Sequence, residues 1–175
     1  MLDLKIVYEA TDNLIKQAVD LDCCVFDEKN AGVYEKCKEW ISVNKDIYTF
    51  LLDGEKVVGY INFMPLTNFA YNKYLSGKIT DADITKEDIT LFKKGNNKCL
   101  FVSLVLDKSY RKGLIFNVLW NGFLTRFNEL KNKGIFVSKI VMDCVSWQGE
   151  VLAQRFLKAK FVTLSKVGRV YEVVV

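Results

Sequence analysis

The sequence has 175 residues and contains no histidine. Histidine is the proton acceptor in Ser-His-Asp and Cys-His arrangements, so its absence excludes these nucleophilic mechanisms. Zinc sites that combine cysteine with histidine are excluded for the same reason. Any catalysis must therefore use carboxylates, tyrosine, lysine, cysteine, water or backbone dipoles.

The five cysteines do not include a Cys-x-x-Cys pair, and their number is odd. An odd number without paired spacing is not typical of a disulfide framework or of a structural metal site. We therefore expect free thiols in a reducing compartment and no metal cofactor.

The sequence also lacks a long apolar run. Its longest uncharged apolar segment covers residues 113–125 and still contains Asn117 and Asn121. A membrane-spanning helix needs about 20 apolar residues, so this segment is too short. The first residues do not form a signal peptide either, because no basic start precedes an apolar stretch. We expect a soluble, cytoplasmic protein with no membrane partner.

Neither sign of charge is in large excess, since 25 basic and 21 acidic residues give a net charge of +4. The chain has no dense run of lysine and arginine, so we expect no nucleic-acid partner. Half of the residues are hydrophobic, which is enough at this length to bury one sizeable core. These values predict a single domain over residues 1–175.

The apolar periodicity predicts a mixed order of strands and helices. Thr11 is a suitable cap for a first helix, on which Leu14, Ala18 and Leu21 recur on one face. The predicted strands are 4–9, Ile47–Leu52, Lys56–Met64, Cys99–Leu106, Val137–Val145, Phe161–Leu164 and Arg169–Val175, with Asp53-Gly54 as a hairpin turn. The predicted helices follow Thr11, cover Val33–Val43, run from Leu114 to a Gly134 cap, and cover Gly149–Lys158 with Phe156 facing inward.

The segment 68–97 reads as polar and irregular. Thr85 and Asp88 predict a capping box at the start of a short helix. Clustered aromatic residues favour interfaces, so this segment is also a candidate surface for a homodimer. The residues that motivate this expectation are Phe69, Tyr71 and Tyr74.

The most informative segment is the polar turn Lys108–Gly113, which follows an apolar strand and opens directly into a long helix. The unpaired N–H groups and partial positive charge of a helix N-terminus favour a pyrophosphate there, with Arg111 and Lys112 as counter-charges. Gly113 would allow close approach of the backbone to a ligand. The alternative is an ordinary turn that starts a helix.

In its element order and in this turn the sequence resembles the GNAT acetyltransferase superfamily. The turn motif, Arg-x-x-Gly-x-Gly/Ala after an apolar strand, is matched over Leu104–Gly113, with an aromatic-Arg pair at Tyr110 and Arg111. The hairpin that leads to residues 57–60 and the ending at residues 156–161 are also similar to the family's pattern. The resemblance implies an α/β (α+β) fold with a mixed, mostly antiparallel sheet of about six or seven strands and about four or five helices.

The resemblance also implies that acetyl-CoA is the co-substrate, without a metal. In this family an amine attacks the thioester directly, and the acceptor is an amine of a small molecule or of a protein. Main-chain groups of the strand and of the turn would hold the acetyl, pantetheine and pyrophosphate parts. The residues that match these positions are Leu104, Val105, Leu106, Arg111, Lys112, Gly113, Leu114, Ile115 and Phe116.

The catalytic groups are less well marked. The strand that matches the family's catalytic strand offers Ser103 but no glutamate, and Asp143 near the end of the next predicted strand is the candidate base. Asp143 also fits a polar residue at a sheet edge. Glu35 and Glu39 fit either an acceptor cleft or a solvated helix face. Tyr171 is the candidate acid in place of the tyrosine that the family carries near the end of its last helix.

Two functions stay open at this point. The first is an acyl-CoA-dependent N-acyltransferase. The second is a catalytically weak or inactive CoA-binding, regulatory or interaction module on the same fold. The lack of an obvious base and three departures from the family pattern motivate the second. The departures are a turn one residue short, Ile115 at the second small position, and Phe156 at the position of the family's tyrosine.

Overall fold

The computed structural model describes residues 2–26, 31–111 and 113–175. Within these residues the chain forms seven strands and five α-helices. The strands are β1 (Leu4–Val7), β2 (Tyr48–Asp53), β3 (Lys56–Pro65), β4 (Gly95–Leu106), β5 (Ile135–Cys144), β6 (Lys160–Leu164) and β7 (Arg169–Val174). The helices are α1 (Asp12–Val25), α2 (Tyr34–Val43), α3 (Asn68–Leu75), α4 (Ile115–Asn132) and α5 (Trp147–Val151), which a π-helical turn, Leu152–Phe156, follows.

The seven strands form one sheet in the order β1-β2-β3-β4-β5-β7-β6. The β4–β5 pair is parallel, whereas the β1–β2, β2–β3, β5–β7 and β6–β7 pairs are antiparallel. The predicted fold class, a mixed and mostly antiparallel sheet flanked by helices, is therefore confirmed. The chain separates into a first unit, Met1–Asn62 with Ser103–Asn132, and a second unit, Phe63–Val102 with Lys133–Val175.

In the first unit, α1 begins where the sequence predicts. The Thr11 side chain accepts a hydrogen bond from the Leu14 N–H at 3.3 Å, as an N-cap does. Leu14, Ala18 and Leu21 are buried, which confirms the predicted inward face. Asp22 is also buried, next to this apolar face.

The second helix differs from the prediction at its first residue. Cys37, Trp40 and Ile41 are buried, but Val33 is 63% exposed. Val33 is the N-cap residue and has extended backbone geometry, so its side chain does not join the helical face that begins at Tyr34.

The predicted hairpin is present with its turn moved by one residue. Asp53 pairs with Lys56, so the two loop residues are Gly54 and Glu55. Gly54 has φ of 60°, the left-handed conformation that glycine adopts without strain. The turn therefore needs a glycine at this position, as the Asp-Gly signal indicates.

In the second unit, β4 begins at Gly95, four residues before its predicted start. The residues added at this end of the strand are mostly polar, so the apolar pattern of the sequence did not predict them as strand. The Asn97 side chain is buried and donates to the carbonyl oxygens of Lys93, Gly95 and Phe136 at 2.8–3.2 Å. Because these bonds satisfy the amide, the strand can continue through a polar stretch.

The segment 68–97 contains a helix, but not where the sequence predicts it. Helix α3 covers Asn68–Leu75 and is capped by Thr67, whose side chain accepts from the Ala70 N–H at 3.2 Å. The predicted bonds between Thr85 and Asp88 form at 3.0 Å, yet they close a single turn rather than a helix.

The aromatic surface proposed for a homodimer is also corrected. Tyr71 and Tyr74 are 1% and 2% exposed, so they belong to the core of the second unit. Phe69 is exposed and lies against the Lys73 amino group. Homodimer formation stays a prediction, but these two tyrosines cannot supply its surface.

The last helix begins two residues earlier than predicted, at Trp147, and ends in an irregular turn. The Leu157 N–H bonds to the Leu152 carbonyl, five residues earlier, and this widens the helix into a π-turn. The wider turn shifts the helical phase, so Ala153 is buried while Phe156, predicted to face inward, is 56% exposed. The closing hairpin of β6 and β7 is confirmed.

None of the helices in the part of the chain that the structure describes has the length and apolar character needed to cross a membrane.

We expect Gly59→Ala to lower the free energy of unfolding by about 1–3 kcal/mol, as overpacking does. A Cβ atom at Gly59 would lie 2.9 Å from the Val105 carbonyl oxygen and 2.8 Å from the Leu106 Cδ1 atom. Urea denaturation followed by circular dichroism measures the change.

The matched control is Gly149→Ala, whose added Cβ would meet its nearest atom at an ordinary 3.4 Å. We expect this variant to be as stable as the wild type or slightly more stable, because alanine favours helices. Equal stabilities of the two variants would contradict the close approach at Gly59.

Candidate functional site

The turn after β4, residues 107–114, is here called the phosphate turn. The Asp107 carboxylate accepts hydrogen bonds from the backbone N–H and the hydroxyl of Ser109, and the Lys56 amino group lies 3.5 Å from it. These hydrogen bonds and this charge lower the pKa of Asp107. The carboxylate therefore holds the first half of the turn closed at neutral pH. Lys112, a predicted pyrophosphate contact, lies outside the described residues.

A second carboxylate ties the phosphate turn to the β2–β3 hairpin. The Tyr110 hydroxyl donates to Asp53 at 2.8 Å, and the other Asp53 oxygen accepts from the Asp3 backbone N–H at 2.8 Å. The Asp3 bond and then the Tyr110 bond lower the pKa of Asp53. The aromatic residue of the aromatic-Arg pair thus has a structural role, because it fixes the place of the turn.

Arg111 lies on the surface of the phosphate turn. Its Nε atom donates to the Leu106 carbonyl oxygen at 3.0 Å, and the side chain is exposed. The bond fixes the stem of the guanidinium group next to the end of β4. This placement suits a cation that meets a phosphate at the turn.

Gly113 has φ of 75°, so this position requires glycine for its backbone conformation. Apart from its neighbours in the chain, no described residue has an atom within 4 Å of the position of an added Cβ, which shows open space beside the backbone. The Val118 N–H bonds to the Leu114 carbonyl at 3.2 Å and begins the ladder of α4. The N–H groups of Ile115, Phe116 and Asn117 precede that bond, as at any helix N-terminus.

The strand before the turn presents alternate residues in opposite directions. The Asp107 N–H bonds to the Val58 carbonyl of β3 at 2.8 Å. Since backbone groups alternate along a strand, those of Leu106 and Leu104 are turned away from β3. Val105 is 1% exposed, and its carbonyl lies beside Gly59 of β3. Among the three predicted contacts on this strand, Leu104 and Leu106 therefore have the better orientation for a ligand.

In the second unit, Asp143 is a buried carboxylate. Neither of its oxygens has a hydrogen-bond partner among the described residues, and neither is accessible to solvent. Burial raises the pKa of Asp143, and the nearby Ser165 hydroxyl lowers it to a smaller extent. Burial is the stronger effect, because no hydroxyl or N–H reaches either oxygen with hydrogen-bond geometry. Its role as a base stays a prediction.

Tyr171 belongs to a polar cluster on α5 and β7. Its hydroxyl donates to the Glu150 carboxylate at 2.9 Å and accepts from the Gln154 amide at 2.8 Å. Arg169 lies 3.4 Å from the same glutamate. Burial and the Glu150 hydrogen bond raise the pKa of Tyr171, so the phenol stays protonated at neutral pH.

The two predicted catalytic residues point to opposite faces of the sheet. Tyr171 is paired with Met142, and Asp143 is paired with Val170. Paired residues share a face and neighbours in a strand alternate, so Asp143 and Tyr171 lie on different faces. They cannot form one base–acid pair on the same side.

Several polar residues of the structure were missed by the sequence reasoning. Glu150 and Gln154 are four residues apart on the last helix. This spacing is the signal that could have predicted that their side chains share a face. Asp22 is another, and it follows the apolar Leu21 on the buried side of α1. Glu35 is exposed and Glu39 is half-buried on α2.

We expect the free energy of unfolding of Asp143→Asn to vary less with pH than that of the wild type. A carboxyl whose pKa is raised by folding stabilises the protein only while it is protonated. Wild-type stability should therefore fall, relative to the variant, as pH rises from the ordinary carboxyl pKa through the raised value. Urea denaturation over a pH series measures both curves, and parallel curves would contradict the burial of this carboxyl.

No family model matches the chain, and no curated protein sequence is significantly similar to it. Solved structures do match it. The loading GNATL domain of CurA from Lyngbya majuscula has a TM-score of 0.69 at 13% identity, over 98% of this chain and 97% of that one. The GphF GNAT-like decarboxylase in complex with isobutyryl-CoA also has a TM-score of 0.69, at 10% identity, over 97% and 98%.

An acetyltransferase matches over a similar length. The PaiA N-acetyltransferase from Thermoplasma acidophilum, in complex with coenzyme A, has a TM-score of 0.59 at 12% identity and is matched over 99% of this chain and all of that one. The three structures share the sheet and helix arrangement over nearly the whole chain. Together with the sheet order and the phosphate turn described above, they show that this chain has the GNAT fold.

Proposed function

We propose that the chain binds acyl-CoA and transfers the acyl group, acetyl in the simplest case, to an amine of a small molecule or a protein. The observation that carries this proposal is the phosphate turn. Gly113 has the left-handed conformation, and there is open space beside it. The N-terminus of an 18-residue helix follows this glycine, and Arg111 is exposed near the glycine. Two solved structures with this fold hold coenzyme A or an acyl-CoA.

The cofactor's pyrophosphate would bind the N–H groups at the start of α4. Backbone donors and the helix dipole favour a doubly charged group at that end, and Arg111 and Lys112 add positive charge. Leu114 is 75% exposed and Phe116 is half-buried, so the first turn of the helix is open on one side. Main-chain groups of Leu104 and Leu106, turned away from β3, would hold the pantetheine and acyl parts.

The reaction would be a direct attack of the amine on the thioester carbonyl carbon. The enzyme would supply orientation and donors for the developing oxyanion rather than a covalent nucleophile. Tyr171 is the proposed acid for the leaving thiolate, because its raised pKa keeps the phenol protonated. Asp143 would act as a base only after a conformational change that exposed its two carboxylate oxygens, which are inaccessible to solvent.

A second candidate is the removal of a carboxylate from an acyl-CoA. Two solved structures with a TM-score of 0.69 are a GNAT-like decarboxylase and a loading GNATL domain. The same phosphate turn would hold a β-carboxyacyl-CoA. Release of carbon dioxide from malonyl-CoA, without an amine, would favour this candidate over N-acyl transfer.

We expect acetyl-CoA and CoA to bind the wild-type protein and to bind Arg111→Ala about 10–100-fold more weakly, as the loss of a charge-assisted bond to phosphate predicts. Titration calorimetry measures the dissociation constants. Lys5→Ala, at an exposed position on β1, is the charge-matched control and should bind like the wild type.

Equal binding by the Arg111→Ala variant and the wild type would place the cofactor away from the phosphate turn. Binding without turnover across a panel of amines would favour the alternative function, a CoA-binding or regulatory module. No binding at all would leave the chain with the fold but without the cofactor.

A further inference from the structure

The part of the second unit that runs from the last helix to β7, residues 151–171, carries charge of one sign only. It contains five basic residues and no acidic one, although the whole chain has a net charge of only +4. Arg169 lies 3.4 Å from Glu150, and the other four form no ion pair with a described residue. All five basic side chains are exposed: Arg155, Lys158, Lys160, Lys166 and Arg169.

Large apolar side chains are exposed among these charges. Strand β6 is at the edge of the sheet, so no further strand lies beyond it. Exposed apolar residues that gather in one place mark a contact surface, whereas single ones do not. The apolar residues and the five basic ones are here called the hairpin surface. The apolar members are Phe156, Phe161, Val162, Leu164 and Val167.

One lysine of the hairpin surface has an unusual backbone conformation. Lys158 has φ of 56° and is the only non-glycine residue with a positive φ in the described part of the chain. The Ala159 N–H then bonds back to the Ala153 carbonyl at 2.8 Å and closes the end of the helix. Glycine is usual at such a position, because it has no Cβ to strain. Strained positions concentrate at functional sites, so the conformation indicates a use for the lysine side chain.

The turn between β6 and β7 satisfies its own backbone donors. The Ser165 hydroxyl oxygen accepts from the Val167 N–H at 3.1 Å and from the Gly168 N–H at 2.9 Å. The Ser165 N–H bonds to the Gly168 carbonyl at 3.1 Å. A donor that is already bonded costs little to remove from water. Leu164 and Val167 can therefore enter an apolar phase without leaving these three donors unpaired.

The composition of the hairpin surface distinguishes among the partners that could cover it. A second copy of the chain would bring like charges together. Nucleic acids stack on aromatic rings, but Val162, Leu164 and Val167 are aliphatic. Protein interfaces are depleted in lysine, which supplies three of the five charges. The surface of an anionic bilayer suits both groups, because headgroups attract lysine and arginine while the acyl boundary accepts apolar side chains.

We propose that the hairpin surface binds the surface of a lipid bilayer that contains anionic lipids. The basic side chains lie among the headgroups, and Leu164 and Val167 enter the boundary between headgroups and acyl chains. Each basic residue near such a surface strengthens binding by about fivefold. The sequence predicts no membrane partner because it has no segment that could span a bilayer, but a contact at the surface needs no such segment. This binding does not depend on the acyl transfer proposed above.

Sedimentation of the full chain with lipid vesicles tests the contact. One set of vesicles contains phosphatidylcholine alone, and the other contains about one-third phosphatidylserine. We expect the wild-type protein to bind the anionic vesicles at least about tenfold more strongly than the neutral ones. Binding should weaken as the salt concentration rises above about 0.1 M, because salt screens the headgroup charges.

Lys158→Gly tests the charges without a loss of stability. The variant removes one positive charge and gives the strained position the residue that adopts it freely. We expect about fivefold weaker binding to anionic vesicles, with a melting temperature equal to or above that of the wild type. The control is Lys94→Ser, an exposed lysine of the same unit outside the hairpin surface, which should bind like the wild type.

Leu164→Ser tests the apolar contact. We expect about tenfold weaker binding to anionic vesicles, because a leucine side chain no longer leaves water. Leu91 is a matched control, since it belongs to the same unit and both leucines are 64% exposed. Leu91→Ser should bind like the wild type, and circular dichroism checks that both variants are folded.

Each outcome decides for or against the bilayer contact. Wild-type protein that does not bind anionic vesicles, or binds neutral ones equally well, overturns it. Equal weakening by Lys158→Gly and Lys94→Ser would show a general attraction of charge and no defined surface. Vesicle binding that Leu164→Ser leaves unchanged and that a single-stranded oligonucleotide matches would show a phosphate-binding surface instead. A dimer in sedimentation velocity that Leu164→Ser dissociates would show that a second copy covers the hairpin surface.

Discussion

The arrangement of the first unit depends on how closely β3 approaches β4 and α4 at Gly59. An added Cβ there would lie within 2.9 Å of the Val105 carbonyl oxygen and within 3.3 Å of the Leu119 side chain. The missing side chain lets the Asp107 N–H reach the Val58 carbonyl and so fixes where β4 ends. The phosphate turn starts at that residue. A ligand site built from the backbone groups of this turn would therefore take its geometry from this strand contact.

Two carboxylates hold the phosphate turn in place through hydrogen bonds, while the guanidinium group of Arg111 lies on its surface. Asp107 and Asp53 accept hydrogen bonds from Ser109 and Tyr110, and both have a lowered pKa. Both carboxylates are therefore held in hydrogen bonds, Asp107 within the turn and Asp53 from the β2–β3 hairpin. Arg111 bonds to the end of β4 only through Nε and is exposed. This division leaves a positive charge exposed on a turn that contains an aspartate.

The sequence predicted the element order and the turn because both depend on local signals. Thr11 marks a cap through its side-chain oxygen, and Gly54 and Gly113 mark two turns through positive φ angles that few residues other than glycine adopt. The errors occur where tertiary contacts override such signals. Asn97 continues β4 through three side-chain bonds that no local pattern shows, and Thr85 and Asp88 form their predicted bonds without a helix. The candidate site follows the same rule: residues of the turn were predicted, whereas Glu150 and Asp22 gain their partners only through the fold.

Two buried carboxylates show how differently burial acts on a carboxyl group with and without hydrogen-bond donors. Neither oxygen of Asp143 accepts a hydrogen bond from the described residues, so none of these residues is placed to transfer a proton to it. Asp22 has a donor on each oxygen, the Tyr60 phenol on one and the Gly32 N–H on the other. A carboxylate accepts a proton fastest along a bond that is already formed, because the donor need not move. Burial therefore acts differently on the two carboxylates: it raises the pKa of Asp143, which has no donor among the described residues, whereas both oxygens of Asp22 accept hydrogen bonds.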